Sequence, residues 1–295
     1  MNIIGTGLSG LVGSRIVELL GSENSFEDIS RKTGTNITDS EAVLARIKNS
    51  QAEVILHLAA YTNVDGAEEQ KDLREESDAW KINVVGTENV VAAAEKTNKK
   101  LIYFSTDFIF DGENTPEGGY TENSRPNPIN WYATTKHKGE LLVQAAKIPW
   151  LIIRIAYPYR TNFEKIDFFR AIKNRLASNQ PTAIVKDHMF CPTFVDDIAI
   201  GLVALCKNQS TGIYHMTGSQ SLSPYEAAIC IAEKFDLNTS LISRTTRAQY
   251  FANKAPRPFN LTMNTDKIKQ LGISMRGFEE GLDEIGKQSN LDIEN

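Results

Sequence analysis

At 295 residues, with 41% hydrophobic and 23% charged residues, the chain has a globular composition, large enough for two lobes and too apolar for disorder. A net charge of −5 argues against general nucleic-acid binding, and no apolar run approaches the roughly 20 residues of a membrane span. Cys191, Cys206 and Cys230 form no C-x-x-C pair, and Met1 to Ile4 run straight into a glycine loop with no room for a targeting segment, so a cytoplasmic location is expected.

Short apolar runs alternate with amphipathic segments through the first half, the pattern of β-α-β units around a parallel sheet. Strands are predicted over residues 2–4, 26–29, 53–58, 100–105 and 150–154. Helices are predicted near residues 11–20, 40–48, 78–96 and 129–146. Thr38 and Glu41 have the spacing of a capping box ahead of the second helix. Farther on, residues 194–205 read as a helix and 212–215 as a strand. Ser223-Pro224-Tyr225-Glu226 is a capping box with proline at the first helical position.

The first strand ends in Gly5-Thr6-Gly7-Leu8-Ser9-Gly10-Leu11-Val12-Gly13. Glycines at 7, 10 and 13 of a strand-to-helix junction allow a tight turn, close approach of backbone to a pyrophosphate, and close packing of helix on strand. The alternative is a glycine-rich turn without a ligand. After the second strand, Arg31 and Lys32 follow Asp28. Basic residues in the place of the acid that binds the ribose favour NADP, whereas a solvated basic turn with Asp28 near the ribose favours NAD.

The third strand ends in His57-Leu58-Ala59-Ala60-Tyr61-Thr62, at the carboxyl edge where ligands bind such sheets. Ala59 and Ala60 are small enough for a cofactor to lie on the backbone, while His57, among apolar neighbours, is expected to pack. Asn83 falls in the long helix beneath the site, where its amide can hold backbone or water. The fourth strand delivers Ser105-Thr106-Asp107, with Thr106 either a hydroxyl donor or a strand-end cap. A Pro- and Gly-rich stretch, residues 112–128, suits a mobile flap. Tyr132 and Lys136 then stand one helical turn apart, so a phenol and an ammonium can meet one ligand, the cation favouring ionisation of the phenol. Solvated helices carry the same spacing without chemistry.

In order and spacing, the glycine motif, Ser105-Thr106-Asp107 and Tyr132-x-x-x-Lys136 resemble the extended short-chain dehydrogenase/reductases, and within them the dTDP-4-dehydrorhamnose reductase family. The resemblance continues through Ala59 to Asp65, Phe108 to Gly112, Asn127 to Asn130, Pro192 to Phe194, Gly212 to His215 and Arg257 to Asn260, and so spans nearly the whole chain. It implies an α/β Rossmann-type doubly wound parallel sheet with a smaller interleaved α/β substrate lobe. Residues 1–160 with about 192–216 would bind the dinucleotide, and about 161–191 with 217–295 the substrate.

The implied activity is hydride transfer between NAD(P)H and C4 of a 4-keto nucleotide-sugar, with NADP(H) preferred and NAD(H) the alternative. Tyr132 would be the general acid. Lys136 would lower its pKa and hold the nicotinamide ribose, and Thr106 would hold the substrate oxygen. The loop from Gly7 through Leu8, Ser9, Gly10, Leu11 and Val12 to Gly13 would take the cofactor, joined by Arg31, Ala59, Ala60, Tyr61 and Asn83. Thr62, Val64, Asp65, Asp107, Tyr157 and Arg257 would meet the substrate, Arg257 gripping a diphosphate. Three features depart from the family: Tyr157 stands where a Trp packs on the sugar, a glycine-containing turn after Tyr159 is shortened, and Ser14 and Arg15 stand near an expected metal-binding carboxylate of a dimer contact. No metal is expected, and a homodimer is left open. Two other functions share these motifs: a nucleotide-binding regulatory subunit like the methionine adenosyltransferase β subunit, and a nucleotide-sugar epimerase or dehydratase.

Overall fold

The apolar runs of the first half become strands because their branched side chains can be buried on both faces of a parallel sheet. The computed structural model describes residues 1–294. In chain order, β1 (Asn2–Thr6), α1 (Leu11–Leu20), β2 (Ser25–Ile29), α2 (Ser40–Asn49) and β3 (Val54–His57) are followed by α3 (Val64–Glu69) and α4 (Asp78–Trp80). A π-helical turn, Lys81–Val85, joins α4 to α5 (Gly86–Thr97), after which come β4 (Lys100–Thr106), α6 (Trp131–Gln144) and β5 (Trp150–Ile155). The chain then leaves the sheet as β6 (Pro158–Tyr159), α7 (Phe168–Ala177), β7 (Thr182–Val185) and β8 (Thr193–Phe194). It returns as α8 (Val195–Lys207) and β9 (Gly212–His215), and ends with α9 (Pro224–Lys234), β10 (Ile242–Thr245), α10 (Arg247–Tyr250), α11 (Asp266–Lys269) and α12 (Phe278–Glu294).

The described residues form a parallel sheet in the order β2-β1-β3-β4-β5-β9. Strand order reverses between β1 and β3, which opens a crevice at their carboxyl ends. Val12 and Ile16 of α1 pack with Ile198 and Leu202 of α8 on one face. Val43 and Ile47 of α2, Val90 and Ala94 of α5 and Val143 of α6 cover the other. A separate core of Tyr159, Phe169, Phe190, Ile231 and Phe278 holds the second lobe together. Ile268, Ile273 and Met275, from the stretch expected in that lobe, pack instead on the sheet with α1 and α8. Among the described residues no helix is long and apolar enough to cross a membrane.

Local chemistry explains where the elements start. Asp39, not Thr38, caps α2, its carboxylate accepting the Glu41 and Ala42 N–H groups at 3.1 and 3.0 Å; the capping box read from Thr38 does not form. Asn130 caps α6 by accepting the Ala133 N–H at 2.8 Å, and the Ser223–Glu226 box opens α9 with Pro224 at its start. The stretch 112–128, expected as a mobile flap, is instead tied down. Tyr120 stacks on Phe110 at 4.2 Å and bridges Thr262 and Asn264 through its backbone, while Asn127 donates to Asp111 at 2.6 Å.

Beneath α6 lies a buried ion pair. Arg154 of β5 donates to both carboxylate oxygens of Glu140, at 2.9 and 2.8 Å, and neither side chain is more than 2% exposed. Truncating one partner strands the other charge, which costs about 3–5 kcal/mol in comparable sites. Glu140→Ala should therefore lower the urea midpoint strongly. Lys287→Ala, which removes a surface pair with Glu284, should leave the midpoint where it was.

Candidate active site

The glycine loop closes on the exit of β3. Gly7 has φ +69°, and a Cβ there would lie 2.6 Å from the Ala59 nitrogen; one on Gly13 would lie 2.4 Å from the Gly7 carbonyl oxygen. Larger residues would therefore fill the cradle and push α1 off the loop. No side chain caps α1 at Gly10, so its first-turn N–H groups are left for an anion. The cradle thus fits a dinucleotide pyrophosphate. At the end of β2, Arg31 is exposed in a short 3₁₀ turn, while Asp28 accepts the Ser30 hydroxyl at 2.6 Å and keeps a second, buried oxygen without a partner. Both cofactor alternatives thus have a group in place.

His57 is a strut beneath this loop. Thr87 donates its hydroxyl hydrogen to the Asn83 carbonyl at 2.8 Å, so His57 Nε2 donates to Thr87 at 3.0 Å. Burial pushes the imidazole down to about 3; it is neutral, and its Nδ1 accepts the Thr6 hydroxyl at 2.6 Å. The Thr6 oxygen in turn accepts the Ala59 N–H at 3.2 Å, which fixes the backbone where Ala59, Ala60 and Tyr61 leave β3.

Asn83 lies in the π turn, a distortion common at functional sites. Its amide oxygen accepts the Tyr61 N–H at 2.8 Å, and its nitrogen donates to the Tyr61 carbonyl at 3.2 Å and to Thr135 at 2.9 Å. Expected as a cofactor contact, Asn83 acts on the site by tying the β3 exit to α6.

Tyr132, Lys136 and Thr106 come together where α6 crosses the carboxyl edge of β4. Burial pushes the Tyr132 phenol up to about 12, the Thr106 hydroxyl opposing and the Asp107 charge adding to the shift. Lys136 donates to the Phe104 carbonyl at 2.7 Å and lies 4.2 Å from the centre of the Tyr103 ring. Burial pushes it down to about 7 against the pull of Glu140. In this arrangement burial governs the phenol, and the ammonium bonds the Phe104 carbonyl. Thr106 donates to Asp107 at 3.0 Å and accepts the Phe108 N–H at 3.2 Å, so it is donor and cap at once. The Asp107 carboxyl is pushed up to about 7 by burial, and its second oxygen has no partner.

On the substrate side, Asp65 and Arg257 meet each other at 2.7 Å. Arg257 also donates to the Ala255 carbonyl at 2.7 Å and stands 4.7 Å from the Phe251 ring. Each terminal nitrogen of its guanidinium thus makes one bond within the chain, and its remaining N–H groups are the ones left for an anion. Val64 opens α3 behind the Asn63 cap, and Thr62 accepts from Lys165 of the second lobe at 3.3 Å. Tyr157 bonds His188 at 3.2 Å. No spacing or motif marks Lys165 in the sequence, and His188, though in a segment that resembles the family, has no spacing that gives it a role. Arg15, in place of an expected carboxylate, pairs with both oxygens of Asp196 at 2.7 and 2.8 Å. Among the described residues no cluster of three His, Cys, Asp or Glu side chains could hold a metal ion.

Residues 1–290 match the family model for the RmlD substrate binding domain. The chain is 31% identical to a dTDP-4-dehydrorhamnose reductase of Aggregatibacter actinomycetemcomitans, over 95% of this chain and 96% of that protein. It is 30% identical to the Xenopus laevis methionine adenosyltransferase 2 subunit beta, over 92% of this chain and 82% of that one. The crystal structure of a dTDP-4-dehydrorhamnose reductase from Bacillus anthracis in complex with NADP superposes with a TM-score of 0.88 at 27% identity, covering 97% of this chain and 99% of that one. The glycine cradle, the Thr106 edge and the Tyr132–Lys136 face thus sit in a chain matched almost end to end, and the chain belongs to the RmlD substrate binding domain family.

Proposed function

We propose that the chain is an NAD(P)H-dependent reductase of a 4-keto nucleotide-sugar, acting on dTDP-4-dehydrorhamnose, with NADP(H) preferred and NAD(H) accepted. The observation that carries this reading is the buried Tyr132–Lys136 face of α6 meeting Thr106 beside the glycine cradle. The loop Gly7 to Gly13 would hold the pyrophosphate and Arg31 the 2′-phosphate. Ala59, Ala60 and Tyr61 would lie along the cofactor, and Lys136 would hold the ribose. When bound, the reduced nicotinamide supplies the hydride.

The chain's own residues manage the proton. With its phenol pushed up to about 12, Tyr132 is protonated at neutral pH and can donate to the carbonyl oxygen. The Thr106 hydrogen, directed at Asp107, can turn onto the same oxygen and stabilise the charge that develops there. We assign the dinucleotide to residues 1–160 with about 192–216 and the sugar nucleotide to about 161–191 with 217–295, except for the segment around Ile268 to Met275 that packs back on the sheet. The free thiols of Cys191, Cys206 and Cys230 support a reducing cytoplasm, and a homodimer is the assembly to test by sedimentation.

NADPH absorbance followed with dTDP-4-keto-6-deoxy sugars tests the reading. Tyr132→Phe should slow turnover by about 10²–10⁴-fold, the usual contribution of a positioned acid. Tight NADPH binding without turnover of any keto sugar would favour a regulatory subunit instead. Lys136, pushed down to about 7, is charged below that pH and neutral above it, so kcat/KM should decline as pH rises through about 7. Arg31→Ala should reduce the preference for NADPH over NADH by about tenfold, as loss of a charge-assisted hydrogen bond does; an unchanged ratio would hand the ribose to Asp28.

A further inference from the structure

Tyr157 lies just past β5, two residues beyond Ile155, the register partner of Thr106. Its φ of +39° is left-handed, a conformation that residues with side chains hold only where their surroundings over-determine it. Here the surroundings are aromatic. Ring centres of Phe190, Phe108, His188 and Phe168 lie 4.6, 5.8, 5.9 and 6.1 Å away, from both lobes.

The direction of the Tyr157–His188 hydrogen bond follows from the other imidazole nitrogen. His188 Nδ1 is 2.8 Å from the Pro258 carbonyl oxygen, which can only accept, so Nδ1 carries the hydrogen. Burial pushes the imidazole down to about 4 and it is neutral, leaving Nε2 as a bare acceptor. The phenol, 3.2 Å away, must therefore donate. Its proton is committed, and its oxygen can only accept from a ligand. The Phe108 ring, 5.8 Å from Tyr157 and 6.1 Å from Tyr132, packs against both phenols and so places Tyr157 beside the Thr106 edge.

We propose that Tyr157 is a specificity-determining residue and His188 its positioning residue: the phenol oxygen, oriented by His188, accepts a hydrogen bond from a ring hydroxyl neighbouring the sugar carbonyl, so the site selects sugars that bear that hydroxyl. The proposal rests on the reductase reading and deepens it. Thr106 and Tyr132 supply donors for the carbonyl oxygen; Tyr157 supplies the acceptor that a neighbouring hydroxyl needs. A deoxy analogue would leave that oxygen without its donor, the case in which polar sites discriminate best.

The test compares wild type, Tyr157→Phe and His188→Phe on a dTDP-4-keto-6-deoxyhexose and its 2-deoxy and 3-deoxy analogues, by steady-state kinetics and by calorimetric binding in the presence of NADP. Both substitutions keep an aromatic ring in the cluster. Wild type should disfavour one analogue by about tenfold or more, the equivalent of one hydrogen bond. Tyr157→Phe should erase most of that difference, chiefly through KM for the parent sugar, and His188→Phe should follow it. Equal losses on all three sugars, or an unchanged ratio, would overturn the proposal while leaving the reductase reading intact. If wild type turns over no keto sugar yet binds and discriminates these nucleotides, the reductase reading fails and the assignment of Tyr157 stands. If no nucleotide-sugar binds, both fall.

Discussion

Arg154 carries a full positive charge into the interior, between a β-sheet and a helix, and a charge in that setting has to be paired. Glu140 pairs it bidentately, and the remaining hydrogen-bonding capacity reaches the Glu122 carbonyl at 3.4 Å and His215 Nε2 at 3.3 Å. His215 donates from Nδ1 to the Asn264 carbonyl at 3.1 Å, so its Nε2 is the acceptor the guanidinium requires. The Arg154 guanidinium also lies 5.3 Å from the Phe110 ring, which stacks on Tyr120. One buried cation thereby fixes α6 against β5, β9 and the stretch 112–128 together. Because Glu140 is one turn from Lys136 and two from Tyr132, the same contact sets the height at which the phenol and ammonium meet the end of β4.

The second constraint is that buried polar groups around the crevice must find partners. His57, Thr6 and Thr87 form a closed chain of donors and acceptors under the glycine loop, and Asn83 does the same for Tyr61 and Thr135. These groups hold backbone and leave little hydrogen bonding to offer a ligand. Among the described residues, one oxygen each of Asp28 and Asp107 is buried without a partner, as are Ser105 Oγ, His137 Nδ1 and Thr217 Oγ1. The two carboxylate oxygens stand at the carboxyl ends of β2 and β4, the edge of the sheet where the glycine loop also lies, and are free to accept a ligand's donors.

Much of this was legible in the sequence. Strand residues pack through local apolar runs, so β1 to β5 and β9 could be read directly. The glycine loop and the Tyr132–Lys136 pair are local patterns with a fixed geometry. What stayed hidden depends on contacts between distant residues. Asp39 outcompetes Thr38 as a cap only because its carboxylate reaches two N–H groups at once. The π turn around Asn83 has no periodicity signal, since one extra residue per turn barely disturbs an apolar stripe. Residues 112–128 look like a loose flap by composition, yet Tyr120, Asp111 and Asn127 anchor them. The pairing of Arg257 with Asp65, 192 residues away in the chain, had no local signal either.

The titratable groups of the site share one electrostatic character. Burial pushes Tyr132 up to about 12, Asp107 up to about 7 and Lys136 down to about 7, each toward its neutral form. The site therefore carries little fixed charge of its own near neutral pH. A substrate oxygen gaining negative charge there would be a strong local source of field, in surroundings where few mobile dipoles compete. Of the two donors proposed to meet it, the phenol is carried by α6, and the Thr106 hydroxyl, fixed at the end of β4, has only to turn its hydrogen away from Asp107. Stabilisation of that developing charge would then need one hydroxyl to rotate and no larger reorganisation, close to the condition under which fixed donors contribute most to a rate. The burial that pushes Lys136 down also makes its proton responsive to a nearby ligand charge.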